Sequence, residues 1–303
     1  MGVCTITKSY TMQMLSILVI GWSIGFNGVR VGVEAAPYAP AMFVFGDSLA
    51  DAGNNNFIPG CTVRANFTPY GISFFPRPTG RFTNGRTVFD FVEKGDDEAK
   101  NYIAKSLFCI SIGGNDIDEF FTNNTLPNTN ATQLITLLVN KYDRYLTGLY
   151  NVGARKILVA DISAVGCTPY ARNYGFIGYH GLCVEIVNQL VVEYNSALRQ
   201  LVDRLNQNLD GISIILLKSY HYIMKMIKHG EVYGFSETKE ACCGSGRFHA
   251  EVACGKTSPP NQYCKHPDTY LFWDYIHPTQ KTCSIFAHEI WIGNSSVMHP
   301  FNL

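Results

Sequence analysis

Four short, nearly unbroken apolar runs constrain this chain most: residues 41–45 (AMFVF), 106–112 (SLFCISI), 156–160 (KILVA) and 212–217 (ISIILL). A strand with one wet face alternates apolar and polar side chains. Runs without that alternation suit strands covered on both faces, as in parallel sheets. Between the runs, apolar residues recur at helical spacing. One set is Leu134, Leu138, Tyr142, Tyr145 and Leu149; the other is Val184, Val187, Val191, Tyr194, Leu198, Leu201 and Leu205. A last helix is expected over 278–291, with Pro278 at its first position, where a missing N–H costs nothing. Strands alternating with helices predict an α/β domain with a mainly parallel sheet. Residues 230–270, rich in Gly, Pro and Cys, read as a disulfide-held loop rather than sheet.

With 303 residues and 47% hydrophobic content, the chain can bury one sizeable core. Lys plus Arg number 24 and Asp plus Glu number 24, without a basic stripe. A nucleic-acid partner, which needs a basic surface to neutralise phosphates, is therefore not expected.

The N-terminus reads as a secretory signal. Lys8 precedes an apolar stretch over 12–26, and Val33-Glu34-Ala35 offers small residues for cleavage near Ala35 or Ala36. The stretch is too short and too Gly-interrupted to span a bilayer. Residues 1–35 are thus expected to leave a mature domain, 36–303, with no stable membrane span. Ten cysteines and sequons at Asn66, Asn123, Asn130 and Asn294 agree with an extracellular destination. Cys167, Cys183, Cys242, Cys243, Cys254 and Cys264 are expected oxidised, and Cys109 and Cys283 free. Connectivity stays open, with Cys167–Cys183 the first pairing to test.

Three fragments carry candidate chemistry. Gly46-Asp47-Ser48-Leu49 follows the first run, where open parallel sheets build their sites. Ser48 there is either a nucleophile or a helix cap. Gly113-Gly114-Asn115-Asp116 follows the second run; Asn115 can donate to an oxyanion or simply make a Gly-Asn turn. Asp274 and His277 are close enough on a tight turn for the carboxylate to hold imidazole Nδ1, leaving Nε2 for a proton. Such a pair is also a common surface hydrogen bond. The histidines show no metal-site spacing and no Cys-x-x-Cys pair exists, so no metal or other cofactor is expected.

In their order and positions, these fragments resemble the plant-type secreted GDSL (SGNH) esterase/lipase family. The matching stretches are FVFGDSLADAGNNN (43–56), GRFTNGRTVFDFV (80–92), SIGGND (111–116), DISAVGCTP (161–169), ACCGSGRF (241–248) and YLFWDYIHPT (270–279). The resemblance implies a three-layer α/β/α, flavodoxin-like fold and hydrolysis of carboxylic esters or lipids. Ser48 matches the nucleophile and one oxyanion donor, Asn115 the other donor, Asp274 the acid and His277 the base. One departure stands out. The family carries a further strand and a glycine-rich turn, a second oxyanion block, between GRFTNGR and the GGND strand. Here the polar stretch EKGDDEAKN (93–101) stands in that place. The expected sheet lacks that edge strand, and the oxyanion hole lacks a backbone donor. A catalytically impaired binding glycoprotein of the same fold, or an acyltransferase with the same triad, is the alternative. Oligomeric state is unreadable.

Overall fold

The computed structural model describes residues 42–87, 90, 103–122, 129–174, 181–256 and 262–300. The expected leader, the Asn123 sequon and the 93–101 stretch lie outside them.

The four apolar runs form β1 (Met42–Gly46), β2 (Leu107–Ser111), β3 (Lys156–Ala160) and β4 (Ser213–Leu217). They pair in that order, all parallel, with Met42 opposite Leu107, Leu107 opposite Lys156 and Lys156 opposite Ser213. Successive side chains of a strand point to opposite faces. Phe108, Ile110, Ile157, Val159, Ile214 and Leu216 therefore enter one core, and Leu107, Cys109, Leu158, Ile215 and Leu217 enter the other. Both faces are dry, which is why the runs do not alternate.

Helices α1 (Gly114–Thr122), α2 (Ala131–Asn151) and α4 (Glu185–Asn208) cover the first face. The short α3 (Pro169–Tyr174) precedes α4. Helices α5 (Ser219–Lys228) and α6 (Gln280–Ile292) cover the second, completing a three-layer α/β/α arrangement. The buried stripe of α2 is Leu134, Leu138, Tyr142 and Leu146. Tyr145, expected on that stripe, is 54% exposed. Spacing of four keeps one face inward for these few turns, and of the two neighbouring residues the all-apolar Leu146 takes the inner position.

Pro278 does not begin the last helix. Thr279 is its N-cap, accepting from Thr282 N–H through its hydroxyl, while Pro278 bridges to Phe272. The Thr279 hydroxyl also donates to Tyr270 O at 2.8 Å, which anchors the cap to the preceding segment.

Residues 230–270 also differ from expectation. Glu237–Ala241 (β5) and Tyr270–Phe272 (β6) form a two-stranded parallel ribbon. Its ETKEA strand is polar and mostly half-buried, so no hydrophobic pattern marked it. The disulfide expectation holds there: Cys242–Cys264 and Cys243–Cys254 cross the segment, and Cys167–Cys183 closes another loop. Cys109 and Cys283 are buried thiols outside the disulfides. A two-residue strand, β7 (Met298–His299), adds antiparallel to β4. At the opposite edge, β1 pairs only with β2 among the described residues, and Phe45 is 45% exposed.

Candidate active site

Ser48 stands two residues beyond β1, at the carboxyl edge of the sheet. Gly46 makes that corner possible. A Cβ there would fall 2.5 Å from Ser111 O and 2.6 Å from the Ala50 methyl. The turn is tied by Asp47 N–H donating to Ser111 O, Leu49 N–H to the Asp47 carboxylate and Ala50 N–H to Asp47 O. The Ser48 N–H donates to no described residue.

Gly46 lies opposite Ser111 in the β1–β2 register, so the loop after β2 runs beside the Ser48 turn. That loop carries Gly113 at φ 109°, a backbone conformation that side-chain-bearing residues rarely adopt, and a Cβ there would also lie tight, 3.2 Å from Ile162 and 3.3 Å from the Tyr194 hydroxyl. Asn115 follows in the first turn of α1 and is exposed.

Asp274 and His277 reach the same place from the far end of the chain. Cys242 N–H donates to Phe272 O and Cys243 N–H to Trp273 O, so the disulfide-linked segment grips the chain just before Asp274. Trp273 N–H donates to His277 O at 2.7 Å, closing the turn. His277 Nδ1 lies 2.9 and 2.8 Å from the two Asp274 carboxylate oxygens, and its Nε2 lies 2.6 Å from Ser48 Oγ. Asp274 is 0% and His277 6% exposed, and the Phe82 ring covers the imidazole at 5.0 Å between centroids.

Burial alone would raise the Asp274 carboxyl. The His277 ring, with hydrogen bonds from that ring and from the His277 and Ile276 amides, holds it below its ordinary value instead. Oδ1 accepts both amides, at 2.8 and 2.9 Å, and Oδ2 accepts the Tyr70 hydroxyl at 2.7 Å. A carboxylate bonded at Nδ1 fixes the ring so that Nε2 can take the Ser48 proton as Oγ attacks an electrophile.

The structure thus brings Ser48, His277 and Asp274 into one hydrogen-bonded chain and sets Asn115 in the first turn of α1, after the adjoining loop. Asn66, Asn130 and Asn294 are exposed and remote in sequence from these turns. Sequence reasoning missed Tyr70 and Phe82. Thr68-Pro69-Tyr70-Gly71 reads as a turn, and nothing local signals a partner 204 residues away. Among the described residues no group of three or more His, Cys, Asp or Glu side chains converges to hold a metal ion.

The GDSL-like lipase/acylhydrolase family matches residues 42–290. A GDSL esterase/lipase of Arabidopsis thaliana is 32% identical over 334 residues, covering 87% of this chain and 84% of the relative. The Arabidopsis thaliana GDSL esterase/lipase 6 is 29% identical over 332 residues, covering 89% of this chain and 91% of the relative. With the sheet order, the Ser48 corner and the match along most of its length, the chain belongs to the GDSL lipase/acylhydrolase family.

Proposed function

We propose that this protein hydrolyses carboxylic esters through an acyl-enzyme on Ser48. His277 Nε2 takes the Ser48 proton as Oγ attacks the ester carbonyl. The Ser48 N–H and the Asn115 amide donate to the oxyanion of the tetrahedral intermediate. His277 then protonates the departing alcohol, and a water activated in the same way releases the acid. The observation that carries this reading is the Ser48–His277–Asp274 chain, with 2.6 Å and 2.8 Å links between buried or half-buried groups. The unengaged Ser48 N–H supports the oxyanion role. The test is labelling of folded protein with a fluorophosphonate, followed by peptide mapping. Label on Ser48, lost in Ser48→Ala, is expected; label on another serine overturns the assignment.

A second reading, of impaired turnover, is favoured by the comparisons. The 334-position alignment covers only 87% of a 303-residue chain, so the relative has several tens of residues that this chain lacks. The sequence motifs assign the loss to the region before β2, where the family's glycine-bearing oxyanion block belongs. The protein is on this reading a GDSL hydrolase with a two-donor oxyanion hole.

Extracellular residence is part of the proposal. Three disulfides among the described residues, the exposed sequons at Asn66, Asn130 and Asn294 and the signal-like N-terminus support it. Asn130 caps α2 through its side-chain oxygen, which leaves the amide nitrogen, the atom a glycan uses, outside the cap. No helix among the described residues is long and apolar enough to cross a membrane. Peptide mapping after glycosidase treatment of protein from a plant secretory host tests this: retention as an unglycosylated intracellular chain overturns it.

A further inference from the structure

The two oxygens of Asp274 are held in unlike ways. Oδ1 accepts the Ile276 and His277 amides, which belong to its own turn and stay with it whenever that turn forms. His277 Nδ1 lies 2.9 Å from Oδ1 and 2.8 Å from Oδ2, and Oδ2 has one further donor, the Tyr70 hydroxyl at 2.7 Å. Tyr70 comes from the loop region between β1 and β2 and is 5% exposed. Its ring is wedged edge-on against Phe67, Phe82 and Trp273, so the hydroxyl has little freedom to leave. Burial, then the neighbouring Asp274 charge, pushes the phenol well above its ordinary range, so it remains a donor at every working pH.

We infer that Tyr70 is a positioning residue of the hydrolytic site, aiming the Asp274 carboxylate at His277 through its hydrogen bond to Oδ2. This rests on the proposed ester-hydrolase reading and deepens it. A carboxylate 0% exposed keeps its charge only by accepting enough donors, and each one also fixes its torsion. Without Tyr70, Oδ2 has only the imidazole, the group it must orient. The carboxylate then rotates about its own turn, and the imidazole loses the fixed axis that points Nε2 at Ser48. Orientation errors of this kind act on the chemical step and leave substrate binding largely alone.

The test compares wild type with Tyr70→Phe, which keeps the ring and removes the donor. Wild type and Ser48→Ala are labelled first with a fluorophosphonate; absence of label on wild-type Ser48 overturns the hydrolase reading itself. Given that label, Tyr70→Phe should acylate and turn over roughly tenfold to a hundredfold more slowly, with KM changed less than about twofold. The NMR resonance of the imidazole Nδ1 proton should shift. Para-aminophenylalanine at position 70, which restores a donor, should recover most of the rate, whereas para-methylphenylalanine, which fills the space without one, should not. The last pair also decides the matter if Tyr70→Phe fails to fold. Equal labelling rates and an unmoved Nδ1 resonance in the donor-free variants overturn the inference.

Discussion

His277 Nε2 lies 2.6 Å from Ser48 Oγ across 229 positions of sequence. The serine comes from the first strand, the histidine from a turn held by a disulfide-linked ribbon. Neither turn alone makes a site, so activity should fail when either partner is removed while the fold survives. We expect Ser48→Ala to abolish covalent labelling and His277→Ala to slow ester hydrolysis by at least about 10³-fold. Circular dichroism should be unchanged in both. Near-normal hydrolysis by folded Ser48→Ala would exclude this serine as the nucleophile.

A glycine-bearing segment grafted between Val92 and Lys105 should raise turnover. One oxyanion donor is typically worth about 10²–10³ in turnover, because the developing charge sits where water cannot reach it. Turnover per labelled active site is the measure. If the unmodified chain already matches the graft, two donors suffice.

Asp161 carries a pH dependence. It follows β3, and its carboxylate accepts from Tyr220 N–H at 3.0 Å. Burial nevertheless raises its carboxyl from 3.8 to about 7, against the lowering effect of the Ser219 and Tyr220 amides. A raised carboxyl means the folded state holds a proton that the unfolded state has released. Its contribution is complete below about pH 4 and is lost as pH rises to about 7, amounting to a few kcal/mol. Asp161→Asn keeps an acceptor for Tyr220 and has no charge to bury. In chemical denaturation, the variant should gain on wild type between pH 4 and 8 and differ little at pH 4. A gap that does not widen with pH contradicts this.

The disulfides should support both stability and the site. Cys243–Cys254 closes an 11-residue separation, and Cys243 N–H also holds Trp273 O, beside Asp274. Replacing both cysteines with alanine should cost about 2–3 kcal/mol by loop entropy and lower turnover as well. Alkylation should leave Cys109 unmodified until the protein unfolds, since burial pushes its thiol upward and away from the reactive thiolate. Rapid modification of native Cys109 would refute that.

Neighbouring residues of α2 should respond in opposite ways. Leu146 is 0% exposed, and Leu146→Ala should lose about 2–5 kcal/mol in denaturant melts. Tyr145, 54% exposed, should tolerate alanine within about 0.5 kcal/mol. Equal costs would contradict the observed face.

The sequence by itself determined the parallel sheet and its covering helices, and its motifs, through the family resemblance, singled out Ser48, Asp274 and His277 as candidates. Each rests on a local pattern. A strand covered on both faces must be apolar throughout, a sharp corner at Gly46 admits no side chain, and an Asp three residues before a His closes its own hydrogen bond. Where the cause was local but neighbours competed, as at Tyr145 against Leu146 or at the start of the last helix, Pro278 against Gln280, the position moved by one or two residues. Only the tertiary structure decided what depends on distant partners. The polar β5 strand forms because β6 lies beside it, β7 because β4 leaves a free edge, and the disulfide pairings because the folded ribbon brings their sulfurs together. Tyr70 belongs to the same class. Its turn carries no sign of a carboxylate, and packing among Phe67, Phe82 and Trp273 alone delivers its hydroxyl to Asp274. Hydrogen bonds act over about 3 Å, so a chain separation of 204 residues is spanned only by the fold.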